Sequence, residues 1–131
     1  MINDHLSDMF TRINNASKVG KKTVTVPFTQ LCAAVAQVML DEKCITSFES
    51  IGDSPSTRSL VIKLAYHNGT SAIQSLRRIS KPGVRIHRPV NKLKPILSGL
   101  GISILTTSSG IMSDRTARKR KIGGEVLAEL Y

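Results

Sequence analysis

The stretch of this 131-residue chain that decides its fold is Gly99–Glu125, which reads GLGISILTTSSGIMSDRTARKRKIGGE. Its apolar residues Leu100, Ile102 and Ile104 alternate with small or polar ones, as they do in a half-buried strand. Hydroxyl residues and a glycine follow, which predict a turn, and then a run of cations, which predicts a short helix. The segment therefore predicts a strand, a loop and a helix in direct succession.

Four consecutive hydroxyl side chains precede a glycine at the centre of this segment. We call these residues the hydroxyl loop: Thr106, Thr107, Ser108, Ser109 and Gly110. Each hydroxyl group donates and accepts a hydrogen bond, so the loop suits a partner rich in acceptors and hydroxyls, such as a sugar-phosphate backbone. The alternative is that these side chains bond their own backbone in a tight turn.

A short basic helix is predicted after the hydroxyl loop. Asp114 is its predicted N-cap, and Gly123 and Gly124 are its predicted end. It carries five cations: Arg115, Arg118, Lys119, Arg120 and Lys121. Such a run is usually a solvated face, but its position next to the hydroxyl loop favours a binding surface.

The positive charge is concentrated in the second half of the chain. The formal net charge is +10 and the pI about 10.1. Residues 1–70 hold 7 Lys and Arg against 6 Asp and Glu, whereas residues 71–131 hold 12 against 3. This asymmetry predicts a polyanionic partner and binding that weakens with salt, without choosing between RNA, DNA and an acidic membrane.

The length and composition indicate one ordinary domain or two small lobes, with a globular balance of apolar and charged residues. Cys32 and Cys44 have no nearby cluster of histidines or acids, so we expect buried free thiols and no metal site. No segment resembles a membrane span or a targeting signal, and no cofactor is expected.

The first half predicts an α+β lobe, residues 1–68. A helix with its cap at Asn3 or Asp4 ends near Ala16. The elements that follow are a strand at Thr23–Val26, a helix capped by Thr29 that ends at Asp41 or Lys43, and antiparallel strands at Ile45–Ile51 and Arg58–Tyr66. The composition changes at Asn68, Gly69 and Thr70, which places the lobe boundary there.

The second lobe, residues 69–131, is predicted to be mainly β. Ser71–Ser80 fits a helix by spacing, but the turn at Lys81-Pro82-Gly83 favours a hairpin with Val84–Arg88. In that strand Val84 and Ile86 would face inward, and Arg85 and His87 would share the outer face. A short helix at Asn91–Leu97 that ends at Gly99, and a last strand at Val126–Tyr131, complete the prediction.

The patterns of common enzymes are absent. Gly99-Leu100-Gly101 begins like a dinucleotide fingerprint, but Ile104 stands where the third glycine belongs. Glu125 is instead expected to accept hydrogen bonds from the hydroxyl loop. Only Tyr131 among the aromatic residues lies in the basic half, so stacking of bases on aromatic rings is not expected to be the main mode of nucleic-acid recognition. Hydroxyls, guanidinium groups and an imidazole suit a folded RNA read through its minor groove and 2′-hydroxyls.

A series of motifs closely resembles the family of small-subunit ribosomal protein eight. The motifs are Ser7–Ile13, Arg77–Gly83, Gly99–Ile102, the hydroxyl loop, Asp114-Arg115 with Ala117–Lys119, and Gly123–Glu125. The resemblance extends along the whole chain and is weakest between Asp41 and Thr70. It implies a two-lobed α+β fold and primary binding to the central domain of small-subunit rRNA, where the family helps to assemble the platform.

The resemblance also implies which residues contact RNA. They are the hydroxyl loop, Lys81, Arg85 and Arg12, with Glu125 as support. His87 on the outer face of its strand, and Arg115 and Arg118 of the basic helix, complete the predicted RNA-binding residues. Ser109, His87 and Asn14 depart from the family pattern, which has a basic residue, a tyrosine and an arginine there. This drift, together with Asn3-Asp4 at the start, favours an organellar ribosome over a free-living bacterial one. A plastid is favoured over a mitochondrion, and the bacterial cytoplasm is the alternative.

The implied partners are the rRNA and neighbouring small-subunit proteins, five and twelve, with no DNA and no membrane. Two other functions stay open from the sequence. The same surface would serve a regulator that binds an mRNA resembling the rRNA site, and an RNA-modifying enzyme is the candidate from another class.

Overall fold

The computed structural model describes residues 5–54, 56–93 and 101–131. Helices and antiparallel sheets are mixed along the chain, which confirms the predicted α+β class. The described part divides into two compact units, residues 1–74 and 75–131, and each unit contains a sheet of its own.

The first unit has the predicted order of helix, strand, helix, strand and strand. Its elements are α1 (His5–Val19), β1 (Thr23–Pro27), α2 (Gln30–Asp41), β2 (Ile45–Ile51) and β3 (Ser59–Leu64). The strands form an antiparallel sheet of order β1-β3-β2, so the predicted pairing of β2 with β3 is confirmed. The N-terminal cap expected at Asn3 or Asp4, and Pro55 of the turn between β2 and β3, lie outside the described residues.

The interior of this unit follows from the periodicity of its apolar residues. On α1 the buried side chains recur at helical spacing: Leu6, Met9, Phe10, Ile13 and Ala16. On β3 every second residue is buried: Leu60, Ile62 and Leu64. The hydroxyl of Thr29 caps α2 as predicted, since it accepts a hydrogen bond from the Cys32 backbone N–H at 3.0 Å. Cys32 and Cys44 are buried thiols, as expected.

The boundary between the units lies at Gln74/Ser75, six residues beyond the predicted position. Asn68 and Gly69 form the turn of a small hairpin that joins β4 (Tyr66–His67) to β5 (Thr70–Ser71). Both turn residues have a positive φ, 52° and 79°. Asparagine and glycine tolerate that conformation, so the change in composition marks a turn within the first unit.

Most strands of the second unit pair with one long strand, β10 (Gly124–Leu130). The other elements are β6 (Leu76–Arg78), β7 (His87–Arg88), β8 (Ile102–Thr107), β9 (Gly110–Ser113) and α3 (Asp114–Arg120). The sheet order is β6-β10-β8-β9, and β7 also pairs with β10. A 3-10 helix spans Val90–Lys92 near the predicted helix at Asn91–Leu97; residues 94–100 lie outside the described part.

The predicted hairpin between Ser71–Ser80 and Val84–Arg88 is wrong, although its turn is present. Lys81 and Val84 exchange two backbone hydrogen bonds of 2.8 and 2.9 Å across the Pro-Gly pair. β6 precedes this turn and β7 follows it, and each pairs with β10 and not with the other. Val84 is 59% exposed and therefore does not face inward, whereas Ile86 is half-buried.

A bulge in β10 changes which residues share a face of the sheet. Val126 pairs with Leu105 and Ala128 pairs with Ile104, so Leu127 is an extra residue between them. Residues that pair directly across an antiparallel sheet point to the same face. Since Leu105 and Ile104 point to opposite faces, so do Val126 and Ala128.

One face of the sheet carries a cluster of buried apolar residues that includes α3. Its buried residues are Leu93, Leu105, Met112, Ala117 and Val126, with Ile79 and Val90 packed against them. Ala117 belongs to α3, so this cluster fixes the basic helix against the strands. No helix of the described residues is long and apolar enough to cross a membrane.

Replacing the fully buried Leu60 by Ala should destabilise the protein by about 2–5 kcal/mol, because it removes apolar contacts and leaves a cavity. Leu31→Ala on α2 is the matched control, since Leu31 is 40% exposed and should cost under about 1 kcal/mol. Chemical denaturation of both variants measures the difference. Equal losses of stability would contradict the assigned core.

Candidate nucleic-acid interface

Three strands bring predicted site residues into one row across the sheet. On β10, Glu125 pairs with His87 of β7 on one side and with Thr106 of β8 on the other. Directly paired residues share a face, so these three side chains lie side by side. Arg85 joins them, because its Nη1 lies 3.2 Å from Glu125 Oε2. We call Arg85, His87, Glu125 and Thr106 the strand row.

Within the strand row, the largely shielded carboxylate of Glu125 holds the exposed guanidinium group of Arg85. The side chain of Arg85 is 60% exposed and that of Glu125 is 23% exposed. A guanidinium has five N–H donors, and Arg85 uses one of them on Glu125. The sequence predicted that Glu125 would accept hydrogen bonds from the hydroxyl loop. The structure gives the carboxylate a different role: among the described residues no side-chain hydrogen bond joins Glu125 to the loop hydroxyls, and its carboxylate orients Arg85.

The hydroxyl loop connects β8 to β9 as a tight turn. Thr107 Oγ1 donates to the Gly110 carbonyl at 2.8 Å and accepts from the Ser109 N–H at 3.1 Å. The alternative that these hydroxyls bond their own backbone is therefore correct for Thr107. Gly110 has a φ of 110°, a conformation that side chains rarely adopt. The turn is thus fixed by one hydroxyl group and one glycine.

Ser108 and Ser109 lie exposed at the tip of this turn. Within the part of the chain that the structure describes, their hydroxyl groups have no hydrogen-bond partner. Thr106, at the end of the strand row, is half-buried. The geometry therefore divides the hydroxyl loop into a residue that holds the turn, Thr107, and two that face outward on a rigid support.

The glycine pair allows β10 to approach its neighbours closely at the strand row. A Cβ on Gly124 would lie 2.5 Å from the Thr106 carbonyl oxygen, and one on Gly123 would lie 2.6 Å from the Arg88 carbonyl oxygen. Both obstacles are backbone atoms, which cannot move aside as a flexible side chain does. The sequence predicted these glycines only as the end of the helix, whereas α3 already ends at Arg120.

Asp114 is a structural residue of α3, but it is not the N-cap. Ser113 is the N-cap, since its hydroxyl accepts from the Thr116 N–H at 3.3 Å. The carboxylate of Asp114 is 2% exposed, accepts from the Ser103 N–H at 3.0 Å and forms an ion pair with Arg118 at 2.5 Å. Asp114 therefore attaches α3 to β8, and Arg118 neutralises its buried carboxylate.

The other cations of α3 differ from Arg118 in their surroundings. Four of them are exposed on the surface of the second unit: Arg115, Lys119, Arg120 and Lys121. Lys121 closes the helix in the left-handed conformation, with a φ of 57°. They give this end of the second unit a high density of positive charge.

Lys81 is exposed at the turn before β7, and a residue that the sequence prediction missed holds that turn in place. Ser80 is fully buried, and its Oγ accepts from the Ile86 N–H at 2.8 Å and donates to the Ile86 carbonyl at 3.2 Å. This clip fixes the chain that carries Lys81 and Arg85. The only signal in the sequence was a serine directly before Lys-Pro-Gly.

Arg12 belongs to the first unit and is bound there. Its guanidinium group forms an ion pair with Asp8 at 3.1 Å and donates to the Thr25 carbonyl at 2.8 Å. Nearly half of the side chain remains exposed. No group of three or more potential metal ligands occurs among residues 5–54, 56–93 and 101–131.

Comparison with known proteins gives one family for nearly the whole chain. Residues 4–131 match the family model described as ribosomal protein S8. The chain is 44% identical to small ribosomal subunit protein uS8 of Microcystis aeruginosa over 131 residues, 98% of each chain. It is 44% identical to the protein of that name from Coxiella burnetii over 127 residues, 97% of each chain. With that of Thermosynechococcus vestitus it is 43% identical over 132 residues, 99% of this chain and 98% of the relative.

The close approach at Gly124 gives a direct test of the strand row. Gly124→Ala should destabilise the protein by about 1–3 kcal/mol, because its Cβ would overlap the Thr106 backbone. The control is Gly69→Asn, where no atom lies within 4 Å and asparagine tolerates the positive φ. Thermal unfolding compares the two variants. A Gly124→Ala protein as stable as the control would show that β10 does not need the close approach.

Proposed function

The chain belongs to the ribosomal protein S8 family, and we propose that its second unit binds the central domain of small-subunit rRNA through the hydroxyl loop and the strand row. Membership of the family confirms the resemblance found in the sequence motifs, and it gives the broader role of this protein. The protein is a structural component of the small ribosomal subunit, with rRNA and other small-subunit proteins as partners. Its relatives are named as ribosomal proteins and not as enzymes, so the expectation of a non-enzymatic chain is confirmed.

The observation that carries the proposal is the exposed serine pair at the tip of a fixed turn, beside an oriented guanidinium. Ser108 and Ser109 project two hydroxyl groups whose hydrogen-bonding capacity is unused among the described residues. Ribose hydroxyls and phosphate oxygens are suitable partners for such groups. Because Thr107 already fixes the turn, binding loses little backbone entropy.

The strand row supplies charge next to these hydroxyl groups. Glu125 holds Arg85 in one direction while most of the Arg85 side chain stays in contact with solvent. A guanidinium that is already oriented binds a phosphate more tightly than a freely rotating one, since less side-chain entropy is lost. His87 pairs with the same glutamate position and is exposed, so its imidazole is placed to hydrogen-bond a base or a ribose.

The remaining basic residues are proposed to contact phosphates around this centre. Lys81 and Arg115 are exposed on the same unit. Arg118 acts differently, because it neutralises Asp114, whose carboxylate accepts from the Ser103 N–H and so fixes α3 with the cations on that helix. Arg12 is proposed to contact RNA from the first unit, with the part of its side chain that Asp8 and Thr25 leave exposed.

The family supports finer proposals about assembly and compartment. We propose that the chain binds rRNA early, helps to assemble the platform and contacts small-subunit proteins five and twelve. The relatives come from bacteria, which supports a ribosome in the bacterial cytoplasm. A plastid ribosome, which the departures at Ser109 and His87 favoured, stays a proposal, since the chain is as similar to the Coxiella protein as to the cyanobacterial ones.

Replacing Ser108 and Ser109 together by Ala tests the binding role. A hydrogen bond contributes about 0.5–1.5 kcal/mol net, so the loss of two should raise the Kd for a central-domain rRNA fragment about tenfold. Filter binding or electrophoretic mobility shift measures the Kd. The matched control is Ser47→Ala/Thr70→Ala, which removes two exposed hydroxyls from the first unit. An unchanged Kd in the Ser108/Ser109 variant would remove the serine pair from the interface.

A further inference from the structure

A second arrangement of guanidinium groups lies on the same sheet, outside the strand row. Glu129 of β10 forms ion pairs with two arginines: its Oε1 lies 3.0 Å from Arg77 Nη2 and its Oε2 lies 3.5 Å from Arg88 Nη1. Arg77 pairs with Glu129 across β6 and β10, whereas Arg88 extends from β7. We call these three residues the arginine–glutamate cluster.

The bulge in β10 places this cluster on the face opposite to the strand row. Glu125 pairs with Thr106, and Glu129 pairs with Ser103, three positions earlier on β8. An odd separation along a strand reverses the direction of the side chain. The two carboxylates are four residues apart and would share a face in a regular strand, but the extra residue Leu127 turns them to opposite sides.

The cluster has the properties of an anion-binding site. The side chains of Arg77 and Arg88 are 73% and 40% exposed, whereas that of Glu129 is 16% exposed. One shielded carboxylate therefore orients two exposed guanidinium groups and leaves a net positive charge. Each guanidinium has further N–H donors in the fixed fork geometry that matches two oxygens of a phosphate.

Structural stabilisation alone is a weak explanation for this arrangement. Exposed ion pairs contribute little to stability, because water and salt screen them. The other two carboxylates of the second half, Asp114 and Glu125, also pair with arginines. All three acids of this half thus position arginine side chains, and the exposed lysines add to a positive field on the unit. These oriented arginines lie on both faces of the sheet. A polyanion long enough to reach both faces therefore matches their positions better than a short acidic peptide does.

We infer that the arginine–glutamate cluster is a second phosphate-binding site, which contacts a phosphodiester segment distinct from the one at the hydroxyl loop. Arg77 and Arg88 bind the phosphate oxygens. Glu129 is a positioning residue, because its carboxylate pairs with both arginines and restricts the directions of their side chains. The inference rests on the proposed RNA-binding function and adds a contact on the other face of the sheet.

The test measures the Kd for the central-domain rRNA fragment at KCl concentrations from about 0.05 to 0.2 M, where affinity falls with salt in proportion to the phosphates contacted. The variant is Arg77→Gln/Arg88→Gln/Glu129→Gln. Changing Glu129 as well avoids an unpaired carboxylate and lowers the net charge of +10 by one. Lys63→Gln on β3 is the matched control, because Lys63 is exposed and its replacement also removes one positive charge.

The triple variant removes two arginines, each of which would neutralise one phosphate. Because each phosphate contact contributes roughly 0.7–0.9 to the slope of log K against log salt, the magnitude of that slope should fall by about 1.5. Its Kd at about 0.1 M KCl should rise roughly tenfold or more, while Lys63→Gln changes neither quantity to that extent. The Ser108/Ser109 variant should lose affinity with an unchanged slope, which separates the two contacts. Thermal unfolding confirms that each variant is folded.

Three results would overturn the inference. A triple variant with the slope and Kd of Lys63→Gln would exclude the phosphate contact while leaving the proposed function intact. Loss of binding to poly-glutamate, with unchanged RNA binding, would assign the cluster to an acidic protein partner. Failure of the unaltered protein to bind the rRNA fragment would overturn both the inference and the proposed function.

Discussion

The second unit depends on the close approach of one strand to its neighbours. Gly123 and Gly124 have no side chains, and this lets β10 lie against the backbone of Thr106 and of Arg88 at distances that no Cβ would permit. Because β6, β7 and β8 all pair with β10, the positions of their side chains are set by this one strand. The strand row exists because these strands meet at Glu125, directly after the glycines.

The few acidic residues of this basic half serve to arrange its cations. Asp114 binds Arg118 and fixes a helix, Glu125 orients Arg85, and Glu129 holds Arg77 and Arg88. A carboxylate that is more shielded than its guanidinium partner restricts that partner without covering it. The second half therefore combines a large net positive charge with defined positions for several guanidinium groups, which a solvated run of lysines does not provide.

Elements that follow from local periodicity can be predicted from the sequence, whereas elements that are defined by pairing with a distant strand cannot. Residues of α1 and β3 repeat at spacings that indicate their buried faces, and Thr29 is in a typical capping position, so the elements from α1 to β3 could be predicted, whereas the short hairpin of β4 and β5 could not. β6 and β7 are only three and two residues long, and each is defined by its pairing with a strand about 40 to 50 positions away. Such short segments carry no periodicity of their own, which is why a hairpin was predicted in their place.

The roles predicted for some site residues are wrong because one residue type can have two different structural roles. Ser113 and Asp114 are both good N-caps, and only the burial of Asp114 beside Ser103 and Arg118 separates their roles. Glycines after a helix suggest its end, yet Gly123 and Gly124 serve the packing of the sheet. Among the four hydroxyls, nothing in the sequence distinguished Thr107, which holds the turn, from Ser108 and Ser109, which face outward.

The most direct measurement places a chemical probe at the tip of the hydroxyl loop. Both native cysteines are buried, so a Ser108→Cys variant can be labelled selectively with a short photoreactive group and incorporated into small ribosomal subunits. If the loop contacts rRNA, the crosslinks should map to one confined segment of the central domain, located by the stops of reverse transcription. Crosslinks to protein alone, or to no nucleotide, would contradict it.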